Sequence, residues 1–343
     1  MTAELRVDLD AFAQNLAVIR DRVSPAAHML VVKDDAYGHG LDAIVTRARD
    51  EGVHWFGAFD VRTGTAVRAA VGEDAGIFVW IVATADEAQA AVDAGLDVGV
   101  GDEALLEDLA ASTGLARVHL KIDTGLHRNG VRPEEWAGFV ARAAELERAG
   151  SIEVVGIWSH IAEASDAEDD LARAAFDTAV QQARDAGLQP RLLHLAASAA
   201  GFARPEFRYD LVRIGAFAYG IRPAGGPGEA ELGIHPISAL VARVSTAGDE
   251  TVSVDAGSLD GLPSTLAGRI DVGTVEGPRA LRSIGVDDSV VEAWETAQPG
   301  DEVLIFGAGA PVSATDAAER IGTIGEEIAL RVAPGIPRVY RGR

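Results

Sequence analysis

Among 30 basic residues only two are lysine, Lys33 and Lys121. Arginine serves everywhere else, as a GC-rich coding preference would produce, so the two lysines mark places where arginine would not do. Lysine can lose its proton and form an imine; arginine cannot. Lys33 closes the apolar run His28-Met-Leu-Val-Val-Lys33. An amine at the end of a buried strand is costly unless used, and desolvation lowers its pKa and frees the nucleophile. The plain alternative is a lysine whose stem lies on the surface with its head in water. Tyr37 and His39 follow in a loop that could cover a ligand or simply pack. His160 closes another apolar run, Ile152–His160, and Ser198 opens a short helical pattern, where backbone N–H groups favour an anion.

These residues need a scaffold. Strand-like runs at 28–33, 55–59, 77–82, 98–101, 117–123, 152–160, 192–197 and 211–215 alternate with helical patterns. Repeated βα units predict parallel strands buried on both faces. Eight of them in about 200 residues fit a (β/α)8 TIM barrel, whose sites gather at the strand C-termini. An open doubly wound sheet is the alternative, weakened because no GxGxxG follows the first strand. The Gly/Pro cluster Pro223–Gly228 reads as a linker. Short alternating runs at 237–244, 250–254, 268–272 and 301–306 predict a small, mainly β C-terminal domain. The expected division is a barrel over 7–222 and a β-rich domain over 229–343, with residues 1–6 a candidate addition to the latter.

Composition narrows the function. The 343 residues include no cysteine, which excludes disulfides, thiolate metal sites and a cysteine nucleophile. No metal is implied. The net charge of −23 disfavours nucleic acid and anionic membrane as partners. The N-terminus carries no signal-peptide pattern, so a cytoplasmic protein is expected.

The segment Val32-Lys-Asp-Asp-Ala-Tyr-Gly-His-Gly40 resembles the pyridoxal-phosphate lysine motif of the alanine racemase family. Arg6-Val-Asp-Leu-Asp-Ala11, His119-Leu-Lys-Ile-Asp-Thr-Gly-Leu-His-Arg-Asn-Gly130, Trp158-Ser-His160, His194-Leu-Ala-Ala-Ser198, Leu211-Val-Arg-Ile-Gly215, Tyr219-Gly220 and Pro337-Arg-Val-Tyr340 are similar to further family motifs in the same order. The resemblance spans almost the whole chain and is stronger before the linker than after it. It implies a barrel plus β domain, pyridoxal 5'-phosphate as cofactor, an amino acid as substrate, racemisation by removal and return of the Cα proton, and a head-to-tail homodimer with shared active sites. By position, Lys33 would carry the cofactor as an imine. Tyr37, Ser198, Gly215 and Ala216 would hold its phosphate. His160 would lie against the pyridine ring and Arg213 would face the ring nitrogen. Lys121, as the family's carbamylated lysine, would orient Arg128 toward the substrate carboxylate, and Asp287 would lie near the substrate.

One family feature is missing. The resemblance implies a tyrosine on the second face of the substrate, given by the partner's β domain. The four tyrosines here are Tyr37, Tyr209, Tyr219 and Tyr340, and none lies between Gly220 and Arg338. The segment that should carry it is shortened around Val244–Glu250. Ser258 stands for a pocket-entrance tyrosine, Glu326 for a phosphate-binding tyrosine and Ala197 for an asparagine. Asp255, Asp287, Asp288, Glu326 or water would have to serve the second face. The alternatives are another pyridoxal-phosphate reaction on amino acids (aldol cleavage, transfer or decarboxylation), which needs one base only, or a non-catalytic cofactor-binding paralogue.

Overall fold

In the computed structural model the described residues are 3–163 and 165–342; Met1, Thr2 and Arg343, at the ends of the expected terminal segments, lie outside them. The chain divides into two units, residues 19–33 with 48–215, and residues 1–18 with 34–47 and 216–343.

After β1 (Glu4–Asp8), eight strands belong to the first of these units: β2 (Ala27–Val31), β3 (Trp55–Asp60), β4 (Gly76–Ile81), β5 (Asp97–Val100), β6 (Ala116–Lys121), β7 (Ile152–Trp158), β8 (Leu192–His194) and β9 (Leu211–Ile214). They form a parallel sheet in the order β8-β7-β6-β5-β4-β3-β2-β9. Hydrogen bonds from Asp210 N to the Leu193 carbonyl (3.1 Å) and from Arg213 N to the Ala196 carbonyl (3.1 Å) join β9 to the β8 segment and close the sheet. This is the expected (β/α)8 barrel. Its strands are runs of Val, Ile, Leu and Phe because both faces are covered. Four outer helices start where a short polar side chain accepts a backbone N–H: Asp60, Thr84, Asp102 and Ser165. Each satisfies a donor that the first helical turn leaves unpaired.

The barrel interior has a polar side. Arg117, His119 and Lys121 alternate on β6 and so point to one face. Room for them comes from glycine. A Cβ on Gly156 would sit 2.5 Å from His119 Nδ1, and one on Gly99 would sit 2.9 Å from both Phe78 and Trp158.

The second unit holds the other eight-stranded sheet, in the order β11-β14-β13-β12-β15-β10-β1-β16, with β11 also pairing β10. Its strands after β1 are β10 (Ser238–Ala247), β11 (Thr251–Val254), β12 (Asp271–Thr274), β13 (Gly277–Ile284), β14 (Ser289–Glu292), β15 (Glu302–Gly307) and β16 (Arg338–Arg341). It is antiparallel except where β1 runs parallel to β16. The β10–β11 hairpin is tight: Gly248 N donates to the Thr251 carbonyl at 3.0 Å. The segment Pro223–Gly228 is held in place, since Gly225 N donates to Glu319 (2.7 Å) and buried Arg222 pairs with Asp316, Glu319 and Glu229.

Candidate active site

Lys33 stands two residues beyond β2 rather than closing it, because β2 ends at Val31; Val32 N still donates to the Gly57 carbonyl at 2.9 Å. Its side chain is half-buried at the C-terminal end of the barrel strands, where barrel enzymes place their chemistry. The chain then makes a left-handed turn. Asp34, Asp35, Ala36 and Tyr37 have φ of 54°, 55°, 53° and 55°. None is glycine, and each left-handed residue costs about 1–2 kcal/mol.

Arg213 lies on β9 and is 5% exposed. Its Nη1 donates to the His194 carbonyl (3.1 Å) and to His194 Nδ1 (3.2 Å). Its Nη2 donates to the carbonyls of Ser159 (2.8 Å) and Leu195 (2.9 Å) and to His160 Nδ1 (3.0 Å). The Nε–H is the one guanidinium donor without a hydrogen-bond partner among the described residues. Burial pushes the guanidinium down to about 9, with Arg128 adding to the fall and Glu163 opposing it. It therefore stays charged at neutral pH.

His160 accepts that hydrogen bond on Nδ1, which leaves its proton on Nε2. Burial and the charges of Arg213, Arg128, Lys121 and Lys33 push its pKa down to about 3, so the ring is neutral. Lys121 is 6% exposed, with Nζ 4.2 Å above the Trp158 ring. Burial, Arg213 and Arg128 lower its amine to about 8 against the opposing pull of Asp123. Asp123 instead organises the next loop. It accepts from the N–H of Gly125 (3.1 Å) and His127 (3.0 Å) and pairs with Arg132 (3.2 Å). Arg128 rises from that loop, exposed. Four cationic side chains, Arg213, Arg128, Lys121 and Lys33, thus act on one neutral imidazole.

Ser198 opens the helix Ser198–Ala203 but does not cap it; Ala197 holds the cap position. Its Oγ instead accepts from Gly215 N at 3.2 Å, so Ser198 and Gly215 are brought together. Ala216 begins a turn in the other unit and is half-buried. In that same unit Tyr37 packs on Tyr219 with ring centroids 4.7 Å apart. Burial raises the Tyr37 phenol above its ordinary pKa, and the carboxylates of Glu326 and Asp34 add to the rise. Glu326 therefore acts on the tyrosine expected to bind phosphate. Asp287 is exposed in the turn between β13 and β14, beside the Ser258 turn, where Ser258 N donates to the Gly285 carbonyl at 3.0 Å. The sequence did not assign roles to Trp158, which lies under the Lys121 amine, or to His119 and His194, hydrogen-bonded in line beneath Arg213. The alternation of charged residues on β6 was the signal for an inward polar face.

The chain thus carries a closed parallel barrel with Lys33 just beyond its first strand, Arg213 on its last, and the Ser198–Gly215 pair after its last two strands. Residues 7–223 match the alanine racemase N-terminal domain and residues 242–340 its C-terminal domain. The alanine racemase of Beutenbergia cavernae is 37% identical, covering 98% of this chain and 97% of that protein, and that of Thermobifida fusca is 34% identical over 99% and 98%. The crystal structure of alanine racemase from Streptomyces coelicolor A3(2) superposes with a TM-score of 0.93 at 31% identity, covering 100% of this chain and 98% of that one. The chain belongs to the alanine racemase family, and is by that membership an enzyme of the racemase class, an isomerase.

Proposed function

We propose that the protein is a pyridoxal-phosphate-dependent amino-acid racemase. One observation carries the reading: the anchored, charged Arg213 has a single donor left over, the Nε–H, beside a neutral His160. An aromatic nitrogen acceptor fits that donor. The Ser198–Gly215 pair and Tyr37 offer hydroxyl and backbone N–H donors of the kind a phosphate needs, and Lys33 offers the amine. The residues present therefore fit the cofactor, which when bound supplies an electron sink for a carbanion at the substrate Cα.

Lys33 would hold the cofactor, and its amine would remove or return the substrate Cα proton on one face. Arg213 would hold the ring nitrogen by a hydrogen bond while keeping its own proton, a weaker electron sink that limits side reactions. His160, neutral, would line the ring as a polar wall. Arg128 binds the substrate carboxylate. Lys121 orients it, carrying a carbamate; its lowered amine pKa supports this, because only a neutral amine takes up carbon dioxide. An anion there would also offset the charges of Arg213 and Arg128. Asp287 contributes near the substrate from the β-rich domain. The working division is a barrel domain over 7–222 and a β-rich domain over 229–343. The protein works as a head-to-tail homodimer in the cytoplasm; among the described residues no helix is long and apolar enough to cross a membrane.

The tight β10–β11 hairpin favours a second reading. It leaves only Gly248, Asp249 and Glu250 between the two strands. With no tyrosine from Gly220 to Arg338, a single-base reaction at the same lysine, such as aldol cleavage or decarboxylation, competes with racemisation. Incubation with a panel of D- and L-amino acids in D2O separates them. Deuterium uptake at Cα with both enantiomers present supports racemisation. Uptake without inversion, or release of aldehyde or carbon dioxide, supports the second reading.

A further inference from the structure

Beneath Arg213 a line of buried polar groups crosses the barrel interior. Arg213 Nη1 meets His194 Nδ1 at 3.2 Å, His194 Nε2 meets His119 Nδ1 at 2.9 Å, and His119 Nε2 meets Asp97 Oδ2 at 3.0 Å. Both histidines are 0% exposed and Asp97 is 1% exposed. The line runs from the C-terminal ends of β8 and β9, through β6, to the first residue of β5. Nothing in the proposed chemistry uses its lower half. Ordinary packing would fill this space with aliphatic side chains, since buried polar groups cost free energy unless fully paired.

The end groups dictate every proton. Arg213 can only donate, so His194 Nδ1 must accept and His194 carries its hydrogen on Nε2. That hydrogen goes to His119 Nδ1, so His119 carries its own hydrogen on Nε2 and gives it to Asp97. Asp97 can only accept while ionised, and it is held below its usual pKa, against burial, by hydrogen bonds from His119 and from Arg117 (2.5 Å). A doubly protonated His119 would force His194 to turn an N–H toward the Arg213 N–H. Either ring with the other tautomer would do the same.

The geometry points to His194, His119 and Asp97 as positioning residues for Arg213: an aligned relay through two neutral imidazoles connects the guanidinium to a buried carboxylate counter-charge and fixes the direction of its free Nε–H. Gly156 and Gly99 supply the space, since side chains there would meet His119, Phe78 and Trp158. This rests on the proposed role of Arg213 at the ring nitrogen, but the tautomers themselves do not depend on it.

The sharpest test replaces Asp97 by asparagine. An amide can turn its NH2 toward His119 and reverse the whole line, which ends with an N–H of His194 facing Arg213. In holoenzyme labelled with ¹⁵N-histidine, the wild type should give two buried rings protonated at Nε2 and bare at Nδ1. Asp97→Asn should move the hydrogen to Nδ1 in both rings, and should lower kcat roughly 10- to 100-fold at unchanged KM, by analogy with supporting groups that orient a histidine. Asp97→Glu should restore both the tautomers and part of the rate. Arg222→Gln removes a buried ion pair in the other unit, so it controls for lost stability and should keep wild-type tautomers and kcat. Wild-type rings protonated at Nδ1 would overturn the relay, as would equal losses of kcat in Asp97→Asn and Arg222→Gln. Should Asp97→Asn fail to fold, the wild-type spectrum still decides. A holo-preparation without bound cofactor would instead sink the reading of Arg213 while leaving the ring tautomers intact.

Discussion

His160 and Arg213 end in different charge states under burial. His160 and Arg213 are both pushed toward neutrality by burial, yet only the histidine gets there, because its imidazole starts from an ordinary pKa of 6.5 and falls to about 3. Lys33→Ala should abolish the yellow colour and the borohydride-trapped adduct and reduce turnover by about 10⁴-fold, the upper range for one positioned acid or base; absorbance and mass of the reduced protein check both. Lys121 is the second residue-scale prediction. Its amine at about 8 is partly neutral at pH 7.5 and more so at pH 8.5. Uptake of ¹³C-bicarbonate should therefore rise over that interval and vanish in Lys121→Ala, whose KM should rise about 10-fold more than kcat falls if Arg128 loses its orientation. A carbon NMR spectrum with no carbamate signal at either pH would refute this. Composition alone isolated the two lysines, and the structure places both at the C-terminal side of barrel strands. The histidine relay was not legible, since its links join residues 75 and 22 positions apart in the chain.

Elements differed in how openly the chain declared them. The barrel strands announced themselves as apolar runs, and the Ser198–Ala203 helix stands where its pattern placed it. β1, β13, β14 and β16 did not. β1 is five residues with three charges, and its partners, β10 and β16, lie more than 200 residues further on. β13 is mostly half-exposed, with Arg279 and Arg282 interrupting its alternation. The left-handed turn after Lys33 was equally hidden, because Asp34-Asp35-Ala36-Tyr37 contains no glycine to signal positive φ. What holds it is tertiary. The Gly38 carbonyl accepts from Arg338 at 3.0 Å and the His39 carbonyl from the Tyr340 hydroxyl at 3.1 Å, while within the segment itself Asp35 accepts from Leu41 N at 2.8 Å. Gly40, at φ 94°, closes the segment, and a Cβ there would fall 1.9 Å from the Tyr340 hydroxyl. Gly40→Ala should thus destabilise by about 1–3 kcal/mol, read as a lower urea midpoint, whereas Gly72→Ala, with no atom near its Cβ, should pay only the conformational cost of its positive φ.

The whole molecule is marked by buried imidazoles. His28 and His39 are both pushed down to about 4 by burial, and His160 to about 3. An unfolded chain protonates its histidines near pH 6.5, whereas these folded ones resist until far lower. The stability they contribute is complete above pH 6.5 and drains away as pH falls toward 4, on the order of 3 kcal/mol for a fully buried ring such as His39. Chemical denaturation at pH 7.5 and pH 5.0 should therefore show a marked loss at the lower value, partly relieved in His39→Gln if the amide keeps the contact to Ser238. Equal midpoints at the two pH values would contradict this. Fold class and family were legible across the molecule. The closing strand pairs of the β-rich unit, set by contacts distant in the chain, were not.

Ala36 is a mirror-image residue in all but chemistry: its φ and ψ of 53° and 53° are where a D-alanine would rest without steric penalty. Semi-synthesis placing D-alanine at that one position would remove a backbone cost of about 1–2 kcal/mol. A chain whose relatives are named for interconverting the two hands of alanine thus spends conformational energy holding one of its own alanines as though it were the other hand.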